Sequence, residues 1–466
     1  MNGFMNWMEM HFMPVAAKVG NQRHLIAIRD GFIAIMPITM VGSIAVLLNV
    51  FFRDLPNEWF GEGNSFVAAM EPLININGNV YFGSITVLGI AFTISLGYHL
   101  AKSYDVNPIA GAVIAFSAVV TCMNQNAVFN YILPGVSESS VDALTQAGLD
   151  VAVDSGNVVL QNVSEWGYMG QAFTGSSGLF TCLIVGLLST MIYVKLMQKK
   201  VTIKLPDSVP PAVSNAFAAI IPGIVAIYVF GIVTQICVMA TGLYPNDLIV
   251  EWIQKPLLGL SQGLFSVILV MFLIQLFWFF GLHGDNILAP ITEGVYTPAL
   301  LENLDVWNAT QSTADMPYIW TRGSINAYAM AGGSGMTLAL LIAIFIFSKR
   351  DDQRAIAKLA APMGVFEINE PVIFGVPIVL NPVYLIPWLL VAPICSVIAY
   401  LFTAAGIIPP VFIQVPWVMP VGFYAFFATG GNIGAALVSL LCLAVAVVIW
   451  APFVILANRM QNKEMQ

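Results

Sequence analysis

Two carboxylates stand where carboxylates are costly. Glu367 and Glu370 lie in MGVFEINEPVIFGVPIVLNP (363–382), a stretch otherwise apolar or backbone-breaking, with Pro371, Gly375, Pro377 and Pro382 close behind. A charged group at membrane depth costs roughly 2.5–3.5 kcal/mol on insertion scales, so it usually faces a cavity, a partner or a ligand. Prolines and glycines at this density free backbone carbonyls that lipid cannot satisfy. The segment is therefore expected to line a polar cavity. Three residues apart, the two carboxylates would share a helical face, and acid–base hydrolysis is one chemistry open to such a pair. Glycosidase carboxylates, however, flank a bond at about 5–9.5 Å and usually come from separate elements.

A second group surrounds His283. It follows Phe277-Trp278-Phe279-Phe280, sits between Gly281 and Gly284, and precedes Asp285 and Asn286. A histidine at a span's end is often a plain interfacial residue. Here flanking glycines permit close backbone approach, and Trp278 lies five residues back. Aromatic faces covering C–H bonds beside groups that take hydroxyls are a way to hold a sugar. Asn369, Asn381, Gln414, Trp417 and Asn432 add polar or aromatic groups, Trp417 within the proline-broken PPVFIQVPWVMPVG (409–422). The chain carries no Walker A motif, HExxH, GxSxG or metal-spaced His/Cys cluster. GGSG (332–335) lacks the lysine of a phosphate loop and reads as a tight helix start. The five cysteines have no CxxC spacing and read as small buried apolar residues.

The elements that must position these groups are membrane helices. The sequence is 58% hydrophobic and 9% charged, against about 25% charged in soluble domains, and several apolar runs reach the roughly 20 residues a span needs. An all-α polytopic membrane protein follows. Residues 1–29 read as an amphipathic surface helix, with Phe4, Trp7, Met8, Phe12 and Val15 at helical spacing, and no cleavable signal peptide is visible. Spans are expected at about 30–52, 79–100, 108–128, 172–197, 217–242, 259–282, 334–348, 383–406 and 432–457, with one more crossing hidden in 284–332. Segments 359–382 and 408–428 must enter and leave on one side. The count is about ten transmembrane helices plus re-entrant hairpins and amphipathic surface helices. Broken helices meeting near mid-membrane are typical of transporter binding sites.

Lys18, Arg23, Arg29 and Lys102, the lysines at 195–204, and Lys349, Arg350, Arg459 and Lys463 place both termini in the cytoplasm. The loop 130–170, with five acidic residues and no Lys or Arg, falls outside. Three regions result: a first membrane half (1–203), a linker with the fifth span and a surface helix (204–258), and a second half with the re-entrant segments (259–466). Gly111, Ala112, Ala115 and Ala118 form a small-residue run that suits either a subunit contact or packing within one subunit.

Several long segments together carry a resemblance: RDGFIAIMPITMVGS (29–43), KLPDSVPPAVSNAFAAIIPG (204–223), FWFFGLHG (277–284), GGSGMTLALLIAIF (332–345), FEINEPVIFGVPIVLNP (366–382) and IIPPVFIQVPWVMPVG (407–422). The chain resembles, nearly end to end, the enzyme IIC permease of the bacterial phosphoenolpyruvate-dependent sugar phosphotransferase system, in its lactose/cellobiose/diacetylchitobiose branch. The resemblance implies a homodimer in the cell membrane, with the first half at its interface and the second carrying sugar. It implies that His283 and Glu370 address the sugar's 6-hydroxyl, with Trp278 and Trp417 as aromatic platforms; Asn369 and Glu367 complete the expected substrate-binding set.

A separate cytoplasmic IIB protein, phosphorylated on cysteine and fed by IIA, would then phosphorylate that hydroxyl. The chain is accordingly expected to be no enzyme by itself: no catalytic residue of its own, no metal, no cofactor and no nucleic-acid partner. A β-linked disaccharide of the cellobiose or diacetylchitobiose type is the expected substrate. Lactose is expected less, because lactose members often carry a fused IIB domain and this sequence stops at Gln466. The alternative from another class is an ion-coupled secondary sugar transporter with Glu370 or Glu367 as proton carrier.

Overall fold

Long apolar helices make up most of the computed structural model, which describes residues 10, 11, 14, 18, 20–154, 156–175, 178–206, 208–376 and 378–464. Phe4, Trp7, Met8, Phe12 and Val15, which carry the expected surface helix, lie outside the described residues. The helices used below are α1 (Arg23–Asn49), α2 (Ser65–Phe82), α3 (Leu88–Ser103), α4 (Pro108–Thr121), α5 (Leu179–Gln198), α6 (Ile220–Thr241), α7 (Leu264–Phe279), α8 (Gly284–Thr292), α9 (Tyr296–Thr310), α10 (Arg322–Ala329), α11 (Thr337–Phe347), α12 (Asp351–Val365), α13 (Glu370–Gly375), α14 (Leu385–Ala404), α15 (Phe423–Ala428) and α16 (Ile433–Glu464). Among the described residues, five helical stretches are long and apolar enough to cross a bilayer. A sixth, Pro245–Ser261 with Leu264–Phe279, is bent by 77°.

The expected span at 79–100 is two elements. α2 ends at Phe82 and α3 begins at Leu88. In the turn between them Ser84 donates its hydroxyl to the carbonyls of Val80 (2.6 Å) and Tyr81 (3.2 Å). Hydropathy runs unbroken through this turn, so the sequence hides it. The fourth helix is shorter than expected, ending at Thr121. The small-residue run on α4 packs within the subunit: Gly111, Ala112, Ala115 and Ala118 are buried. A Cβ on Gly97 of α3 would come within 2.8 Å of the Gly111 carbonyl and 2.9 Å of the Ala115 Cβ.

All-helical is also incomplete. The acidic loop folds as a three-stranded antiparallel sheet, β1 (Asn126–Ile132), β2 (Val151–Asp154) and β3 (Asn157–Trp166), in the order β1-β3-β2. Phe129 pairs with Val163 and Val153 with Val158, with a bulge between Phe129 and Tyr131. Tyr131 and Tyr168 each donate to Glu165, at 3.0 and 2.9 Å. β-branched residues recur through this loop, and that propensity was masked by its acidity.

One buried cluster runs from the Phe32–Phe92 stack (4.1 Å) of α1 and α3 to Trp388 and Trp450 of α14 and α16. Trp388 donates its indole N–H to the Gln275 carbonyl of α7 (2.8 Å), and Trp450 donates to Gly335 (3.2 Å). These bonds satisfy buried indoles and fix α14 against α7 and α16 against the loop before α11.

Candidate functional site: a polar cavity between helix reversals

Two helix reversals place the chemistry. α7 ends with Gly281 in the left-handed region (φ 76°), and the Leu282 N–H reaches back to the Phe277 carbonyl (3.1 Å). This is the six-to-one closure of a Schellman end. Gly284 then packs against α7, where a Cβ would fall 2.0 Å from the Ile274 carbonyl. His283 is thereby held in a tight turn as the N-cap of α8, its Nδ1 accepting from the Asn286 N–H at 3.3 Å. With Nδ1 accepting, a neutral ring carries its proton on Nε2 and donates from there. The imidazole leans over Trp278, ring centroids 4.4 Å apart. The indole N–H of Trp278 goes to Asp285 (2.9 Å), whose same oxygen accepts from the Ser334 hydroxyl (2.6 Å).

The second reversal repeats the first. α12 closes with the Ile368 N–H on the Met363 carbonyl (3.1 Å), and the left-handed residue is Glu367 (φ 66°). Its carboxylate accepts from the Gly333 N–H at 2.9 Å. Asn369 caps α13, its carbonyl taking the N–H groups of Val372 and Ile373, while its side-chain amide donates to the Ser334 carbonyl (3.0 Å). The loop before α11 meets this tip closely because Gly333 has φ 89° and no side chain; a Cβ there would lie 2.8 Å from the Asn369 amide. GGSG is thus a seat for the Glu367 tip as well as a helix start.

All six expected residues border one cavity of about 540 Å³: Trp278 and His283, Glu367, Asn369 and Glu370, and Trp417. Trp278 is 5% exposed, whereas Trp417 is 45% exposed. Glu370 is exposed, and its carboxylate has no hydrogen-bond partner among the described residues. Trp417 reaches the cavity on an extended segment that α9 and α10 pin: Asn303 and Thr321 donate to the Val411 carbonyl (3.3 and 3.2 Å), and Phe412 stacks on Trp307 (4.7 Å). Gln414 also lines the cavity, its buried Oε1 without a partner among the described residues. Asn381 and Asn432 are not among the lining residues.

Other lining groups gave little sign in the sequence. Arg322 of α10 donates from Nε to Glu293 (2.7 Å) and from Nη1 to Asn326 (2.9 Å). Thr297 holds the other Glu293 oxygen (2.9 Å), and Asn326 reaches the Tyr424 hydroxyl (3.4 Å). This network braces part of the cavity wall. Arg29, Met36 and Met40 of α1 line the same cavity. An arginine followed by an aspartate at the start of a span reads as a topology signal, and only the packing of α1 reveals another place for it.

Against known proteins, the family model described as Phosphotransferase system, EIIC matches residues 29–392. The chain belongs to this family. This EIIC chain is 38% identical to the PTS system cellobiose-specific EIIC component of Lactococcus lactis subsp. lactis (strain IL1403), with all of each chain covered. It is 31% identical to the PTS system oligo-beta-mannoside-specific EIIC component of Bacillus subtilis (strain 168), covering 95% of this chain and 91% of the relative. The crystal structure of ChbC, the IIC component from the N,N'-diacetylchitobiose-specific phosphotransferase system, matches with TM-score 0.84 at 28% identity, over 98% of this chain and 99% of that one. This EIIC chain is therefore an integral membrane sugar-permease component of the phosphotransferase system, a transport subunit and not an enzyme by itself.

Proposed function

We propose that the chain binds a β-linked disaccharide of the cellobiose or diacetylchitobiose type in this cavity. It then presents the sugar's 6-hydroxyl to the phosphocysteine of a separate cytoplasmic IIB protein, itself supplied by IIA. The observation that carries the reading is the meeting of six residues from three distant segments around one cavity of about 540 Å³, within the roughly 300–1,000 Å³ usual for small-molecule sites. The names of the relatives, cellobiose, oligo-beta-mannoside and diacetylchitobiose, point the substrate class the same way.

The roles follow from hydrogen-bonding capacity. His283, protonated on Nε2, donates to the 6-oxygen, and the Glu370 carboxylate accepts the hydroxyl proton, so the pair serves both halves of one hydroxyl. In the transfer the oxygen bonds to phosphorus, its proton passes to Glu370, and the P–S bond breaks with the electron pair on the departing thiolate. Trp278, its N–H already committed to Asp285, and Trp417 cover sugar C–H faces. Asn369 keeps its Oδ1 without a partner among the described residues and takes a further hydroxyl beside Glu367.

The organisation that goes with this function is about ten crossings with re-entrant tips at 359–382 and 408–428. Both termini are cytoplasmic, and two copies associate through the first half (1–203), while the second half (259–466) carries the sugar beyond the linker at 204–258. The Lys/Arg distribution supports the orientation. The test is a panel of radiolabelled disaccharides on purified protein: cellobiose or diacetylchitobiose should bind and lactose should bind more weakly. Failure of every β-linked disaccharide to bind would remove the assignment.

A further inference from the structure

The elements that line the cavity differ in charge. Apart from α1, the lining presents four carboxyl groups, Asp285, Glu293, Glu367 and Glu370, and one guanidinium, Arg322. Arg322 is committed to Glu293 and Asn326, at 2.7 and 2.9 Å. That set of groups suits a neutral sugar, whose hydroxyls donate to carboxyl oxygens. It opposes a phosphate, whose charge at neutral pH is close to two negative units, because like charges meeting in a partly dehydrated cavity repel strongly.

α1 borders the same cavity from Arg29 to Met40 and packs against α8. Arg29 is the only charged residue that α1 adds to the lining; Phe32, Met36 and Met40 are typical of the rest. Its Nε and Nη2 both reach one Asp30 oxygen, at 2.8 and 2.7 Å, and the two side chains are 27% and 31% exposed. Nη1 has no partner among the described residues. A carboxylate on one edge of a guanidinium fixes its plane and leaves the other edge to a second planar or tetrahedral anion.

We propose that Arg29 is the phosphoryl-binding residue of this permease, receiving the phosphoryl oxygens as the group reaches the sugar and then holding the sugar 6-phosphate by its anionic end. The inference rests on the function proposed above and adds a residue to it. Arg29 exchanges no proton and forms no covalent bond. The proton leaves with Glu370 and the electron pair with the thiolate, while Arg29 accompanies charge already carried by the phosphoryl oxygens. It should therefore matter little to the neutral sugar and much to the phosphorylated one. Placement at the start of α1, the end nearest the basic N-terminal residues Arg23 and Lys18, sets it on the side from which a cytoplasmic phosphodonor approaches.

The experiment compares wild type with Arg29→Gln and Arg29→Lys in detergent. It measures binding of a radiolabelled disaccharide, binding of its 6-phosphate ester, and single-turnover transfer from a phosphocysteine-bearing IIB protein. Arg29→Gln should weaken 6-phosphate binding by about tenfold to a hundredfold and slow transfer to match, while disaccharide affinity moves by less than about threefold. Arg29→Lys, which keeps the charge without the fork, should recover part of both losses. Equal loss for both ligands, or no loss for the 6-phosphate, overturns the proposal while leaving the sugar site standing. Wild-type protein that binds neither ligand overturns the proposed function and this residue's role together. If Arg29→Gln cannot be recovered folded, Arg29→Lys decides by the same comparison: a selective loss for the 6-phosphate supports the role, and an equal loss removes it.

Discussion

Gly281 and Glu367 occupy the same place in two equivalent helix ends. Each is the left-handed residue that follows a long helix, at φ 76° and 66°, and after each the next N–H closes back by five residues. Glycine takes that conformation freely, whereas a glutamate there costs on the order of 1 kcal/mol. Glu367→Gly would relieve that strain. It would also remove an acceptor from the Gly333 N–H, which retains a second acceptor in the Met330 carbonyl at 2.7 Å. The expected result is a thermal midpoint close to wild type with sugar binding reduced by about tenfold or more. Binding that survives the change would assign Glu367 to the turn alone.

Glu370 and His283 are expected to act on one hydroxyl. Glu370→Gln keeps the shape but loses a charge-assisted bond, typically worth about 1.5–3 kcal/mol, so affinity should fall about ten- to a hundredfold. His283→Ala should behave similarly, with the double variant less than additive. A sugar lacking only the 6-hydroxyl should bind wild type poorly and lose little more in the variants. Under proton coupling, Glu370→Gln would instead mimic the protonated state, and binding would persist while accumulation stopped. Isothermal titration with parent and deoxy sugars separates the two.

How far the sequence discloses this site depends on sequence distance. His283 with Trp278, and Glu367 with Asn369 and Glu370, were legible because each group lies in one short segment whose polar residues are costly in lipid. The partners that give them geometry lie far away. Ser334 meets Asp285 across 49 residues, and Arg322 meets Glu293 across 29. No periodicity encodes such pairings. Most helix positions were legible from hydropathy, but the α2–α3 turn was not, since apolar composition continues through it. The sheet at 126–166 is hidden because the acidity of this loop signals its sidedness and not its strands, which only its β-branched residues favour.

Gly333 tests whether the loop before α11 seats the carboxylate tip. Gly333→Ala adds a Cβ at φ 89°, 2.8 Å from the Asn369 amide and 2.9 Å from the Glu367 carbonyl. Strain of about 1–3 kcal/mol should lower the thermal midpoint and displace both side chains, with sugar affinity falling alongside. Gly259→Ala, in a helix with nothing within 4 Å of the added methyl, is the control and should be neutral or slightly stabilising. An undisturbed Gly333→Ala protein would show that the tip does not depend on this seat.

The Arg322–Glu293 pair, with side chains 19% and 23% exposed, should be asymmetric under mutation. Arg322→Ala strands a largely buried carboxylate, a change that costs up to about 3–5 kcal/mol when one member of a buried pair is removed. Glu293→Gln with Arg322→Met, which removes both charges, should be milder. Thermal unfolding of the solubilised variants provides the comparison, and equal losses would mean that the pair contributes through packing rather than charge.

Orientation is open to thiol labelling in intact cells. Ser139→Cys in the acidic loop should react with an impermeant reagent added outside, whereas Gln198→Cys should not; both positions are exposed. The expectation rests on the absence of Lys and Arg from 130–170 against four lysines at 195–204. Reversed labelling would invert the assigned sidedness.

The thioethers of Met36 and Met40 on α1 bear on substrate range. Trp278, Asn369 and Glu367 are stiff by comparison: indole, amide and carboxyl group are each tethered to backbone or to another side chain. Methionine is unbranched and polarisable and remoulds around different shapes at little cost. A ring lying toward the tethered groups must match them atom for atom, while the ring resting on α1 meets a surface that yields. Discrimination should therefore be strict at one end of the disaccharide and lenient at the other, so that one permease accepts several β-linked sugars differing in the second ring.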